Sequence, residues 1–129
     1  MKKFIDATTK PVLIVGGLGT ALAGLDAFLP RFAVENVQKL EWVPAYTIFV
    51  QHWGIMVCLM GVFMVAAAFK ESWRVPILLY SLIEKAFMVF LVASNFGQSF
   101  SGGFLLPAGM DAIITVWSIF YFVSLRSKP

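Results

Sequence analysis

Four long runs of apolar residues, separated by short polar segments, dominate the chain. The runs cover about residues 11–29, 45–69, 75–95 and 105–125, and each is long enough for a helix to cross a hydrocarbon core of roughly 30 Å. Inside a bilayer the backbone must satisfy its own hydrogen bonds, which a helix does within one segment. The pattern therefore predicts an all-α integral membrane four-helix bundle, with up-down-up-down topology and a single domain over the whole chain.

The longest polar connection covers about residues 31–44 and interleaves charged with apolar side chains. This spacing predicts an amphipathic helix that lies at the membrane interface. Trp42 and Tyr46 would then lie at the level of the lipid headgroups. An ordered loop that caps the bundle and a lid over a substrate are the two alternatives.

The other two connections are short. Residues 70–74 form a charged turn, and Val75-Pro76 opens the third run, where proline is tolerated because the first helical turn needs no amide donor. Residues 96–103 carry no charge and are rich in Gly and Ser, and Pro107 falls in the first turn of the fourth run. Both prolines therefore predict the start of a helix.

Small residues mark two faces of the first run. Gly16, Thr20 and Gly24 repeat every four residues, which predicts a face where another helix approaches closely. Gly19 and Ala23 lead along a second face toward Asp26. A groove of small residues that ends at a carboxylate leaves room for a ligand.

Composition points to lipid as the main solvent. Hydrophobic residues make up 60% of the chain and charged residues only 13%, whereas about a quarter of a typical soluble domain is charged. Membrane lipids are therefore expected partners, and the net charge of +3 indicates orientation rather than binding of nucleic acid. Cys58 is the sole cysteine, so no internal disulfide can form. The basic stretch Met1–Lys10 is expected to be retained, because no convincing cleavage site follows it.

The distribution of Lys and Arg predicts the orientation in the membrane. One side would hold seven such residues beside the predicted helices: Lys2, Lys3, Lys10, Lys70, Arg74, Arg126 and Lys128. The opposite side would hold only Arg31 and Lys39. Because basic residues stay on the cytoplasmic side, both termini are expected in the cytoplasm.

Five ionisable residues fall inside the predicted helices, and they are the candidate site residues: Asp26, His52, Glu84, Lys85 and Asp111. Each costs about 2.5 to 3.5 kcal/mol to insert, so such groups face the bundle interior, pair with one another and mark function by default. At about 1.5 Å per residue, Glu84 and Lys85 lie near the midplane and the others nearer the outer surface. The five are therefore expected to converge in the outer half of the bundle.

The pairing of these groups stays open at this stage. Glu84 and Lys85 are adjacent and point about 100° apart, so we expect Lys85 to pair with Asp111 or another acid, and Glu84 to pair with His52. Such links would fix the register of the bundle, line a ligand or quinone pocket, or form a proton or ion path. No metal site is expected, because the chain has no Glu-x-x-His spacing, and no catalytic residue stands out.

Several short segments resemble the DoxX-like group of small four-span bacterial membrane proteins. These segments are Leu29-Pro30-Arg31, His52-Trp53-Gly54, Ala66-Ala67-Ala68-Phe69, Trp73-Arg74-Val75-Pro76-Ile77 and Glu84-Lys85. Members of that group look like subunits of a thiosulfate:quinone oxidoreductase or assist the maturation of redox enzymes. The resemblance implies an accessory or quinone-linked role in a bacterial inner membrane. The chain is less similar to the four-span enzymes that use glutathione, because its arginines are few and widely separated.

Together these patterns predict a multi-pass inner-membrane protein that acts as a non-catalytic accessory subunit or binding module for a quinone or lipid. A homo-oligomer or a larger membrane complex is expected from the small-residue faces of the first helix. A proton-coupled transporter or channel and a quinone-linked oxidoreductase subunit are the alternatives. The residues specify neither a cofactor nor a partner protein.

Overall fold

Four long helices form the chain in the computed structural model, which describes residues 2–126. They are α1 (Lys2–Ala23), α2 (Thr47–Phe69), α3 (Glu71–Ser94) and α4 (Leu105–Arg126), and no strand occurs among the described residues. With the short 3-10 turns that extend three of them, all four are long and apolar enough to cross a membrane. The predicted all-helical class with four candidate membrane-spanning helices is confirmed. Lys128, which entered the charge count, lies outside the described residues.

Helix α1 begins nine residues before the predicted start at Pro11, which lies inside the helix. Proline cannot donate an amide hydrogen bond there, and the polar residues before it gave the appearance of a boundary. The preceding turns are helical because Ile5 is buried in the core and the Thr9 hydroxyl donates to the Ile5 carbonyl at 2.7 Å. The helix continues as a 3-10 turn over Gly24–Ala27.

The connection between α2 and α3 is Lys70 alone, so the predicted turn over residues 70–74 is helical from Glu71 onward. Arg74 explains why so short a reversal is stable. Its guanidinium donates to the carbonyls of Ala67 and Ala68 at 3.2 and 3.3 Å, which satisfies backbone acceptors at the end of α2.

The segment predicted as an interfacial helix over residues 31–44 is helical only in its first half. A short α-helix, Pro30–Phe32, continues as a π-helix over Ala33–Val37. Lys39 then adopts a positive φ of 59°, which ends the helix. Ala33 and Val34 are buried, so this half packs onto the bundle and caps it.

The buried core lies in the half of the bundle that contains the amino-terminal part of α1. Leu13, Met64 and Leu78 have no exposed surface, and Trp117 packs against the same cluster. The Trp117 indole donates a hydrogen bond of 3.0 Å to the hydroxyl of Thr8. The opposite half, toward Asp26, is less tightly filled and contains the cavity described below.

Helices α1 and α2 meet along a seam of glycines. A Cβ atom added to Gly17 would lie 2.7 Å from the carbonyl oxygen of Gly61, and one added to Gly24 would lie 2.5 Å from that of Gly54. Because the numbers rise on one helix as they fall on the other, the two helices run antiparallel. The predicted small-residue face contributes Gly24 to this seam, whereas Gly16 lies against Ile114 of α4.

Substitution of Gly61 by Ala tests the seam. The added methyl would meet backbone atoms of Ala21 and Gly17, which cannot turn away as a side chain can, so we expect a loss of about 1 to 3 kcal/mol of stability. Thermal unfolding in detergent, followed by circular dichroism, measures the change. Gly109→Ala is the matched control, because that glycine has open space around it. Equal unfolding temperatures for the two variants would contradict the seam.

Candidate functional site

A cavity of about 260 Å³ lies between α1, α3 and α4. Residues 30–38, the capping segment, lie over it and contribute Ala33, Val37 and Gln38 to its wall. Most of its wall is apolar and includes Gly19 and Ala23 of α1, Met88 of α3 and Met110 of α4. Asp26 stands at the end of the α1 wall. The groove of small residues expected from the sequence thus forms one side of this cavity.

The opposite wall carries an ion-pair network centred on Lys85. The Lys85 ammonium donates a hydrogen bond of 2.6 Å to Asp111 Oδ1, and Glu84 Oε2 lies 3.8 Å from the same nitrogen. Only 2% of the lysine side chain is exposed. Of the acids left open as partners, Asp111 is therefore the one that hydrogen-bonds Lys85. Glu84 also lies within ion-pair distance of its neighbour Lys85, although the two residues point about 100° apart along the helix.

Lys85 is buried because it lies on the packed face of α3. Leu78, Ser81 and Val92 on the same face are buried too, at spacings of three, four and seven residues that place them in one row. A charged ammonium is tolerated in such a row only with a close counter-ion. Asp111 supplies that counter-ion from α4, so the pair ties the two helices together.

The Asp26 side chain is held by a hydrogen bond from the connection between α1 and α2. It is 1% exposed and accepts a hydrogen bond of 2.9 Å from Gln38 Nε2, twelve residues further along the chain. The turn at Lys39 and the close packing of Gly103 against the Gln38 backbone hold this amide in place. Sequence reasoning missed Gln38, since it lies in an irregular segment where no periodicity indicates an inward direction.

His52 does not belong to the cluster, which corrects the sequence-based expectation. Its side chain is exposed and does not line the cavity, and the predicted pairing with Glu84 does not form. It lies on the outer face of α2 with Ile48 and Phe49, at spacings of four and three residues. The neighbouring Trp53 points about 100° away and lines the cavity instead.

The cavity wall has an excess of acidic groups. Three carboxyl side chains, those of Asp26, Glu84 and Asp111, face one ammonium group. Glu84 lines the cavity, and its buried Oε2 accepts no hydrogen bond from the described residues, which leaves an unsatisfied acceptor at this wall. Among residues 2–126, no three His, Cys, Asp or Glu side chains are arranged to hold a metal ion. The wall is therefore suited to a group that donates hydrogen bonds.

Comparison of the chain with protein-family models, curated proteins and solved structures gives no match.

Substitution of Lys85 by Met tests the ion-pair network. Removal of the ammonium leaves Asp111 without its counter-ion, so we expect a loss of about 3 kcal/mol or more of stability. Adding Asp111→Asn should restore part of that loss, which a double-mutant cycle of thermal unfolding measures. Lys3→Met, at an exposed lysine, is the control. Additive effects of the Lys85 and Asp111 changes would show that the pair contributes nothing.

Proposed function

We propose that this protein is a non-catalytic membrane binding module for a small molecule with an apolar body and a head that donates hydrogen bonds. One observation carries the proposal: an apolar cavity whose far wall holds Glu84 Oε2, a buried acceptor without a hydrogen-bond donor. A ligand pocket of this kind combines mainly apolar walls with a few placed polar groups. The apolar body would fill the space beside Met88 and Met110 while the head reaches the carboxylates.

Two lipid-phase molecules have this chemistry. The reduced form of a quinone carries hydroxyl donors, and an amine-headed lipid carries ammonium donors. An oxidised quinone offers only acceptors, and the one cationic donor in the wall, Lys85, is 2% exposed and lies beside the carboxylates of Asp111 and Glu84. The site therefore favours the reduced form, which agrees with the quinone-linked role that the resemblance to the DoxX-like group implies.

The proposal includes an orientation. We infer an up-down-up-down bundle in a bacterial inner membrane with both termini in the cytoplasm. The distribution of seven basic residues against two supports this orientation. The antiparallel contact of α1 with α2 supports the topology for that pair. Asp26 and the cavity would then lie in the outer half of the membrane.

Cysteine labelling tests the orientation. In a Cys58→Ala background, Ser99→Cys places a single exposed thiol in the connection between α3 and α4, and Ser72→Cys places one in the first turn of α3. We expect a membrane-impermeant maleimide to label Ser99→Cys in spheroplasts and to label Ser72→Cys only after permeabilisation. The background variant is the control for non-specific labelling. The reverse labelling pattern would contradict the proposed orientation.

Native mass spectrometry of the detergent-purified protein tests the binding function. We expect a retained small molecule, whose mass identifies it as a quinol, an amine-headed lipid or another apolar molecule with a donor head. Glu84→Gln keeps the shape of the side chain but removes its charge, so it should lower the retained fraction at least about tenfold. His52→Ala changes a polar group outside the cavity and should leave the retained fraction unchanged. Equal loss in both variants, or no retained molecule in the parent protein, would contradict the proposal.

A further inference from the structure

A second cavity, of about 320 Å³, adjoins the first. The two share four lining residues: Gln38, Trp53, Met88 and Phe104. The second cavity extends from this shared boundary toward Val92 and Asn95 at the end of α3 and toward the connection at Phe100. The two spaces are therefore neighbours, separated only by these four side chains.

The second cavity presents mainly aromatic and other apolar surface, with few polar side chains. Trp53, Phe100 and Phe104 supply its rings. Its polar side chains are already bonded within the chain: Asn95 Nδ2 donates to the Leu91 carbonyl at 2.8 Å, and Ser101 Oγ donates to the Gln98 carbonyl at 2.9 Å. Gln38 is likewise engaged with Asp26. A molecule in this cavity meets ring faces and apolar side chains.

Met110 of α4 narrows the first cavity on the side between α1 and α4. A Cβ atom added to Gly19 would lie 2.6 Å from the terminal methyl of Met110, so this methionine packs directly on the α1 backbone. The shared boundary beside Trp53 and Phe104 lies on another side of the first cavity, toward the second cavity. A ligand that reaches the carboxylates through this boundary passes between aromatic rings.

We propose that the two cavities together bind a small aromatic ammonium compound, with its charged nitrogen at the carboxylates of the first cavity and its ring between Trp53 and Phe104. This inference rests on the proposed binding function and names the ligand class. Three acidic groups face one basic group, so a ligand cation balances charge that a neutral quinol leaves unbalanced. Aromatic faces attract cations as well as flat apolar rings, so the same route suits both parts of the molecule.

Two probes of matched shape test the ligand class. 1-Naphthylmethylamine is an ammonium ion at neutral pH, whereas 1-naphthalenemethanol is neutral, has the same ring and also donates a hydrogen bond. Calorimetric titration of the full chain in detergent should show the amine binding at least about tenfold more tightly than the alcohol, because hydrogen bonds to charged groups are the stronger ones. Glu84→Gln should remove most of this difference.

Substitutions at the boundary between the two cavities test where the ring of the ligand lies. Trp53→Leu keeps an apolar side chain but removes the ring, and should weaken binding of the amine about threefold or more. Trp53→Phe keeps a ring and should retain most of the affinity. Phe104→Leu repeats the test on the opposite wall and provides a second measurement if Trp53→Leu does not fold.

Each outcome separates this inference from the proposed function. Equal affinity for amine and alcohol, with both weakened by Glu84→Gln, would overturn the cation preference and leave the binding function intact. If Trp53→Leu and Phe104→Leu bind both probes as tightly as the parent protein does, the proposed position of the ring is overturned. Failure of both probes to bind the parent protein would overturn the ligand class, and the mass spectrum of the purified protein would decide the binding function separately.

Discussion

The pairing of Lys85 with Asp111 is the interaction on which the half of the bundle around the cavity depends. An ammonium group with 2% of its side chain exposed, inside a mainly apolar helix, requires a counter-ion at hydrogen-bond distance. Asp111 meets that requirement at 2.6 Å and so sets the register of α4 against α3. The same pair forms one wall of the cavity, so the interaction that orders the helices also gives the candidate site its polarity.

The glycine seam brings α1 and α2 close together, whereas the other side of α1 borders open space. Gly17 and Gly61 let α1 and α2 approach until their backbones touch. On the other side of α1, Gly19 and Ala23 have little side chain to fill the gap toward α4, and the cavity occupies that gap. Small residues on two faces of one helix thus produce tight packing on one side and open space on the other.

The capping segment covers one end of the site and contributes side chains to its wall. Gln38 reaches Asp26 from a part of the chain that is neither a long helix nor a free loop, and the packing of Gly103 against its backbone joins two connections at the same place. The site therefore has a structured outer boundary of its own. A rigid boundary of this kind suits a module that holds a ligand in place without reacting with it.

Sequence alone determined the four long helices and the candidate acids at Asp26, Glu84 and Asp111, because length, hydropathy and the cost of burying charge are properties of local segments. It did not determine the helix starts at Lys2 and Glu71, since the packing of Ile5 and the bonds of Arg74 override the proline signals. Only the tertiary structure placed His52 outside the cavity and Trp53 within it. Helix α2 is apolar on every side, so no periodicity marks its inner face, and that face is decided by the glycines that contact α1.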